Sequence, residues 1–152
     1  MKTTRRQTLQ HGATVAGLLV ATGLFPRMAL AWTNTAFEAK TVQDALKAYG
    51  AGAPAESKDV QLTAPDIAEN GAVVPMGVAT ALPNIKQLLI LVEKNPSPLV
   101  AKFDVNPAVE ANFLTRAKMG QSSDVYAVAI TNDGKALYSK KEVKVTLGGC
   151  GG

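Results

Sequence analysis

The chain has 152 residues, of which 16 are Lys or Arg and 12 are Asp or Glu. Four of the basic residues lie within the first 31 positions and the first acidic residue is Glu38, so residues 32–152 carry twelve charges of each sign. This balance removes the electrostatic basis for binding nucleic acid or an anionic membrane surface, so we expect neither partner. The 121 residues after position 31 suffice for one domain with a modest core.

Residues 1–31 have the features of an export signal. Arg5 and Arg6 precede an apolar stretch, residues 12–25, that is short for crossing a bilayer, and Ala29-Leu30-Ala31 supplies small residues for cleavage. The paired arginines predict a twin-arginine signal peptide that is cleaved after Ala31, which places the folded protein in a bacterial periplasm. An N-terminal membrane anchor is the alternative, but glycine and threonine dilute the hydrophobicity of the stretch, so we expect no stable membrane anchor.

One short helix is predicted at the start of the domain that spans residues 32–147. Thr41-Val42-Gln43-Asp44 resembles a capping box, and apolar residues follow at helical spacing as far as Tyr49. Gly50 and Gly52 then end the pattern, and no further helix is predicted.

The rest of the domain has the pattern of short strands. Turn sequences such as Asn70-Gly71 and Asn132-Asp133-Gly134 recur every ten to fourteen residues, which suits antiparallel hairpins. About seven strands favour an all-β, antiparallel β-sandwich. The predicted strands are 60–64, 73–80, 85–93, 99–104, 113–118, 124–131 and 136–147.

Two of these strands allow a more specific prediction. Residues 85–92 are apolar on both alternating faces, which is typical either of a central strand or of a strand whose outer face meets another subunit. Pro75 has no backbone N–H, so it predicts an edge strand or a bulge for residues 73–80.

The chain ends in Gly148-Gly149-Cys150-Gly151-Gly152, and Cys150 is the only cysteine. Glycine lacks a Cβ and resists ordering, so residues 148–152 are predicted to form a flexible arm that carries an exposed thiol. Val143 and Val145 alternate with Lys144, so the arm is predicted to begin where a half-buried strand ends. Five extended residues span about 17 Å, which is enough to enter a narrow pocket on another protein.

The sequence offers this thiol no catalytic partner. The only histidine, His11, lies in the predicted signal peptide, so a cysteine–histidine site and a zinc site are both excluded from the exported domain. Lys140, Lys141 and Lys144 either favour the thiolate and attract an anionic reactant or form an ordinary solvated strand face. We therefore predict no catalytic residue, no metal and no cofactor, and a passive carrier whose Cys150 is loaded and processed by other proteins.

Three alternatives to the carrier remain open. Cys150 could form an intermolecular disulfide in an envelope structural module, because an unpaired cysteine in an exported protein suggests such pairing. The terminal Gly-Gly could belong to a thiocarboxylate carrier of the ubiquitin-like type, although export argues against the ATP-dependent activation that those tails require. Cys150 could also be a stray residue on a disordered end.

The whole chain resembles the SoxY family of sulfur carriers from thiosulfate oxidation. The most specific element is the terminal Gly-Gly-Cys-Gly-Gly, which matches without departure and follows the valine-rich strand 143–147. The paired arginines and the segment 64–75, which is similar to an early strand and turn of that family, support the resemblance. It implies an immunoglobulin-like β-sandwich that forms a heterodimer with a smaller sandwich subunit, SoxZ.

The same resemblance implies the chemistry and the partners. A haem c enzyme couples thiosulfate oxidatively to the cysteine sulfur, and a manganese-dependent hydrolase releases the sulfone as sulfate. In some organisms a molybdenum enzyme then oxidises the remaining sulfane sulfur. The resemblance assigns Cys150 as the covalent attachment site and Gly148, Gly149, Gly151 and Gly152 as the swinging arm. It also implies a hydrophobic heterodimer interface, which could include residues 85–92.

Overall fold

The computed structural model describes residues 35–146, which contain two short helices and nine strands. The predicted signal peptide and the predicted arm lie outside the described residues. Within residues 35–146, no helix has the length and hydrophobicity needed to cross a membrane. The elements are α1 Thr35–Glu38, α2 Val42–Ala48, β1 Ala55–Glu56, β2 Val60–Thr63, β3 Ile67–Ala68, β4 Val74–Thr80, β5 Ile85–Val92, β6 Leu99–Asp104, β7 Asn112–Ala117, β8 Ser123–Thr131 and β9 Ala136–Val145.

The strands form two sheets that pack face to face, which confirms the predicted β-sandwich. The larger sheet has six strands in the order β1-β9-β8-β5-β6, with β3 also paired to β9, and the smaller sheet has the order β2-β4-β7. All seven predicted strands are present. The two-residue strands β1 and β3 were not predicted, and both pair in parallel with β9, one near each of its ends. The sandwich is therefore antiparallel except along the outer edge of β9.

The main core lies between the two sheets. Leu88 and Ile90 of β5 and Val125 of β8 are fully buried against Met76 and Val78 of β4. Fully burying one such side chain contributes about 1.5–3 kcal/mol relative to leaving it exposed. These alternating side chains from facing strands hold the two sheets together.

A second core covers the other face of the larger sheet. Leu89 and Leu91 of β5 are fully buried together with Ala45 and Leu46 of α2. The doubly apolar sequence of β5 is therefore explained by a central strand with sheet on one face and helix on the other. Of the two interpretations left open for residues 85–92, the structure favours the covered central strand, because this chain buries both faces itself.

Helix α2 is positioned by its capping residue, as predicted. The Asp44 backbone N–H donates to Thr41 Oγ1 at 3.0 Å, and the Thr41 hydroxyl donates to Asp44 Oδ2 at 2.7 Å. The chain leaves the helix through Gly50, whose φ of +68° lies in the left-handed region that favours glycine. The preceding helix α1 was not predicted, because four residues are too few to show helical periodicity.

The prediction made from Pro75, an edge strand or a bulge in β4, is wrong. The strand is central in the smaller sheet, so neither the predicted edge strand nor the predicted bulge is observed. The last residue of β2, Thr63, pairs with Gly77, so Pro75 lies beyond the end of β2 and pairs only with Arg116 of β7. A proline is tolerated there because one neighbouring strand has already ended.

Candidate functional site

The candidate site is the end of the described chain, which leads in sequence to Cys150. Cys150 and its flanking glycines Gly148, Gly149, Gly151 and Gly152 lie outside the described residues, as does Leu147. The structure describes the chain that leads to them as far as Thr146. We call residues 143–146 the arm root.

Strand β3 holds one side of the arm root. The pairing of β9 with β8 ends at Val143, which is opposite Ser123. Beyond that point the Lys144 N–H donates to the Asp66 carbonyl oxygen at 3.0 Å, and the Thr146 N–H donates to the Ala68 carbonyl oxygen at 3.1 Å. Strand β3 therefore prolongs β9 past the end of its pairing with β8.

A serine hydroxyl holds the other side of the arm root. The Val145 N–H donates to Ser122 Oγ at 2.9 Å, at the position where a further residue of β8 would otherwise supply a carbonyl. Val143 is fully buried in the core between the sheets, and Val145 is half-buried against it. The predicted alternation of valines facing inward is thus confirmed for the described part of the arm root.

A lysine side chain fastens β3 to β9. Lys141 Nζ lies 2.7 Å from Asp66 Oδ1 and donates to the Ala64 carbonyl oxygen at 3.0 Å. The hydrogen bond and the positive charge of Lys141 hold the pKa of Asp66 below its ordinary value. Lys141 therefore ties together the segment before β3 and the strand that carries the arm.

Lys140 and Lys144, the other two lysines considered with Cys150, have different surroundings from Lys141. Lys140 Nζ lies 3.0 Å from Asp124 Oδ2 and 5.7 Å from the centroid of the Tyr126 ring. Its hydrogen bond to Asp124 raises the pKa of Lys140, so its charge is engaged on the sheet surface. Lys144 is exposed. The structure does not bring the three lysines together at one site. For Lys140, it favours the interpretation as an ordinary residue of the solvated strand face.

A groove opens next to the segment that Lys141 contacts. Its volume is about 750 Å³, and it runs along the outer face of the smaller sheet. Leu114 is 75% exposed on this face and lies over Gly77. The groove is lined by Thr63, Ala64, Pro65, Pro75, Met76, Leu114, Thr115 and Arg116.

The sequence predicted the arm, which lies outside the described residues, but gave no sign of the residues that hold the arm root. Ser122 lies in the polar segment 120–123, which the sequence predicts to be a turn and in which nothing distinguishes Ser122 from Ser123. Asp66 and β3 fall in the segment 64–75, which carried part of the family resemblance but had no assigned role. Among residues 35–146 no group of three or more His, Cys, Asp or Glu side chains is placed to bind a metal ion.

Comparison with known proteins identifies the family. The sequence model described as sulfur oxidation protein SoxY matches residues 45–150, which is more than half of the chain. The structure of the sulfur carrier protein SoxY from Chlorobium limicola f thiosulfatophilum is 38% identical with a TM-score of 0.64, and the match covers 70% of this chain and 97% of that one. No curated protein matches significantly.

More distant structures share the fold alone. The superoxide reductase (neelaredoxin) from Ignicoccus hospitalis is 18% identical with a TM-score of 0.51, and the match covers 57% of this chain and 80% of that one. A putative superoxide reductase from Thermotoga maritima is 15% identical with the same TM-score, and the match covers 60% of this chain and 86% of that one. At this identity the similarity concerns only the sandwich architecture. The family match, together with 38% identity to a solved member, shows that the chain belongs to the SoxY family of sulfur oxidation proteins.

Proposed function

We propose that this protein carries sulfur during thiosulfate oxidation, with the intermediates bound covalently to Cys150. Membership of the SoxY family supports a sulfur-carrier role, and the family match extends as far as Cys150 itself. The arm root supports it further, because it fixes the base of the segment that bears the only thiol of the chain. The glycines on both sides of Cys150 give the sulfur freedom to enter different partner pockets.

The loading step is an oxidative coupling. The Cys150 thiol loses its proton, its Sγ forms a bond to the terminal sulfur of thiosulfate, and an electron pair passes to a haem c enzyme. The product is a Cys–S–S–SO3⁻ adduct. A free cysteine has a pKa near 8.5, so about a few per cent is thiolate at pH 7 and the partner enzyme supplies the activation.

The release step is a hydrolysis by a manganese-dependent enzyme. Water attacks the sulfone sulfur, the bond to the sulfane sulfur breaks, and sulfate leaves with the release of protons. A persulfide remains on Cys150. A molybdenum enzyme then oxidises the sulfane sulfur, with water as the source of oxygen and the enzyme as electron acceptor, or the sulfur passes to another acceptor.

This division of labour assigns no catalytic residue, metal or cofactor to the present chain. The family implies a SoxZ partner, and we propose a heterodimer with a SoxZ-type subunit. We further propose that residues 1–31 direct twin-arginine export and are cleaved after Ala31, so that the carrier acts in the periplasm. Because that route accepts folded cargo, one signal could export both subunits together.

Mass spectrometry of the C-terminal peptide tests the proposal. In protein isolated during growth on thiosulfate, we expect Cys150 to carry one or more added sulfur atoms or a sulfonate group. The Cys150→Ser variant should fold and bind its partner normally, because position 150 follows the last described strand in the sequence, while thiosulfate-dependent turnover of the reconstituted system is lost. Residual turnover close to that of the unmodified protein would contradict the proposal. A peptide found only as free thiol and protein disulfide would favour the envelope structural module instead.

A further inference from the structure

Strand β7 forms an edge of the smaller sheet. Among residues 35–146 its only sheet neighbour is β4. The Thr80 N–H of β4 donates to the Ala111 carbonyl oxygen at 3.0 Å, just before β7 begins. Hydrogen bonding alternates from residue to residue in an antiparallel pair, so the even-numbered residues of β7 direct their N–H and C=O groups away from β4. Leu114 and Arg116 therefore offer backbone hydrogen bonds to a further strand.

The other edge strands carry features that discourage such pairing. Strand β6 contains Lys102, and its register with β5 shifts at Ile90/Leu91. Strand β2 has only four residues and is soon followed by Pro65. Lysine, bulges, short length and proline are the usual protection of an edge strand. By contrast, β7 has six residues, no proline and no register shift, and its single charge is that of Arg116.

The side chains of β7 and its flanks are complementary to a second copy of the same segment. Leu114 is 75% exposed, the highest value among the exposed large apolar side chains of residues 35–146. In an antiparallel pair centred on Leu114, this residue faces its own copy, Asn112 faces Arg116, and Glu110 faces Lys118. This register joins the two exposed leucines and opposes charges of opposite sign, both of which stabilise a cross-strand pair.

Glu110 and Lys118 are available for this contact. Both are exposed, and neither forms an ion pair within residues 35–146. The Asn95 side chain donates to the Lys118 carbonyl oxygen at 2.8 Å, so the open part of the edge ends at Ala117. Only the side chain of Lys118 is then free to meet a second copy.

We propose that a second copy of this chain pairs edge to edge with β7 about a twofold axis at Leu114. The Leu114 N–H of each copy donates to the Leu114 carbonyl oxygen of the other, and the Arg116 N–H donates to the Asn112 carbonyl oxygen. The two smaller sheets then form one continuous sheet. A twofold contact closes on itself, so it yields a dimer rather than a filament. The inference goes beyond the proposed carrier function and does not depend on it.

Sedimentation equilibrium of the full chain tests the dimer. A single strand buries little surface, so we expect a weak contact with a dissociation constant on the order of 100 μM. Between about 20 μM and about 1 mM, the average mass should rise from near that of one chain toward twice its 15.9 kDa. The measurement is made with excess reductant, so that a disulfide through Cys150 cannot produce the dimer.

A charge at the twofold axis should abolish the dimer. Leu114→Lys removes the apolar contact and places two ammonium groups opposite each other, so this variant should stay monomeric at about 1 mM. Ile67→Lys is the matched control, because Ile67 is 57% exposed but lies on β3, away from the proposed contact. The control should dimerise like the unmodified protein.

A charge exchange tests the register. Glu110→Lys or Lys118→Glu alone places like charges opposite each other at both ends of the paired strands, and each should weaken the dimer about threefold to tenfold. The double variant Glu110→Lys/Lys118→Glu restores opposite charges and should return to the unmodified dissociation constant. A double variant at least as weak as the single variants would show that the register is wrong.

Amide hydrogen exchange locates the contact. At about 1 mM, exchange at Leu114 and Arg116 should slow about fourfold relative to about 20 μM, while exchange at Phe113 and Thr115, which bond to β4, stays the same. A protein that is monomeric at about 1 mM would overturn the proposal, as would a dimer that Leu114→Lys leaves intact. If only a SoxZ-type subunit slows exchange at Leu114 and Arg116, the edge binds that subunit and a second copy is excluded.

Discussion

The two sheets of this sandwich differ in what covers their outer faces. The larger sheet is covered by α1 and α2, so that Leu89 and Leu91 of β5 are as fully buried as Leu88 and Ile90 on the opposite face. The smaller sheet has no described element over its outer face, and Leu114 of β7 is exposed there.

This difference accounts for two kinds of strand sequence in one domain. A strand that is buried on both faces is apolar throughout, as β5 is, whereas a strand with one solvated face alternates, as β7 does. Of the two outer faces, only that of the smaller sheet is open in the part of the chain that the structure describes.

The largest effect is expected from Leu89→Ala, on the face that the helices cover. Leu89 is fully buried, so the substitution leaves a cavity between β5 and α2. We expect the free energy of unfolding to fall by about 2–5 kcal/mol, measured by chemical denaturation. A loss below about 1 kcal/mol would show that α2 does not pack tightly on the sheet, and the two outer faces would then be alike.

A smaller effect is expected from Thr41→Ala, which removes the cap of the covering helix. The Asp44 N–H loses its acceptor, and we expect a loss of about 1 kcal/mol in the free energy of unfolding. Thr41→Ser is the matched control, because it keeps the hydroxyl and should stay close to the unmodified protein. Equal losses for the two variants would mean that the hydroxyl does not act as the cap.

The smallest effect is expected from Leu114→Ala, the same substitution as at position 89 but on the open face. Leu114 is 75% exposed, so its removal should change the free energy of unfolding of the isolated protein by no more than about 0.5 kcal/mol. A loss comparable to that of Leu89→Ala would contradict the contrast between the faces, since it would show that Leu114 is buried in solution.

The parts of the fold that sequence reasoning recovered are those with a long enough pattern. Strands β2 and β4 to β9 contain four or more residues each, and their alternation or continuous hydrophobicity was evident. Helix α2 was predicted from the capping residues Thr41 and Asp44. By contrast, α1, β1 and β3 are too short to show any period in the sequence. Strands β1 and β3 form because they pair with the outer edge of β9.

For the candidate site, the sequence supplied the proposed attachment residue, and the structure showed which contacts hold the strand that leads to it. Cys150 and its glycines were identified from the final five residues, where both the uniqueness of the cysteine and its neighbours are local features. Ser122 could not be found in this way, because its role depends on a backbone N–H in Val145, 23 residues away along the chain. The link between Lys141 and Asp66 joins residues still further apart.

The sequence by itself determined the strand pattern, the capped helix, the thiol between glycines and the resemblance to one family, because each depends on residues that are close together in the chain. Only the tertiary structure decided that β5 is covered on both sides, that the smaller sheet has an open face and that β9 is prolonged to Thr146. The physical reason is that burial and hydrogen bonding between distant segments depend on which strands become neighbours, and strand neighbours are set by the packing of the whole domain.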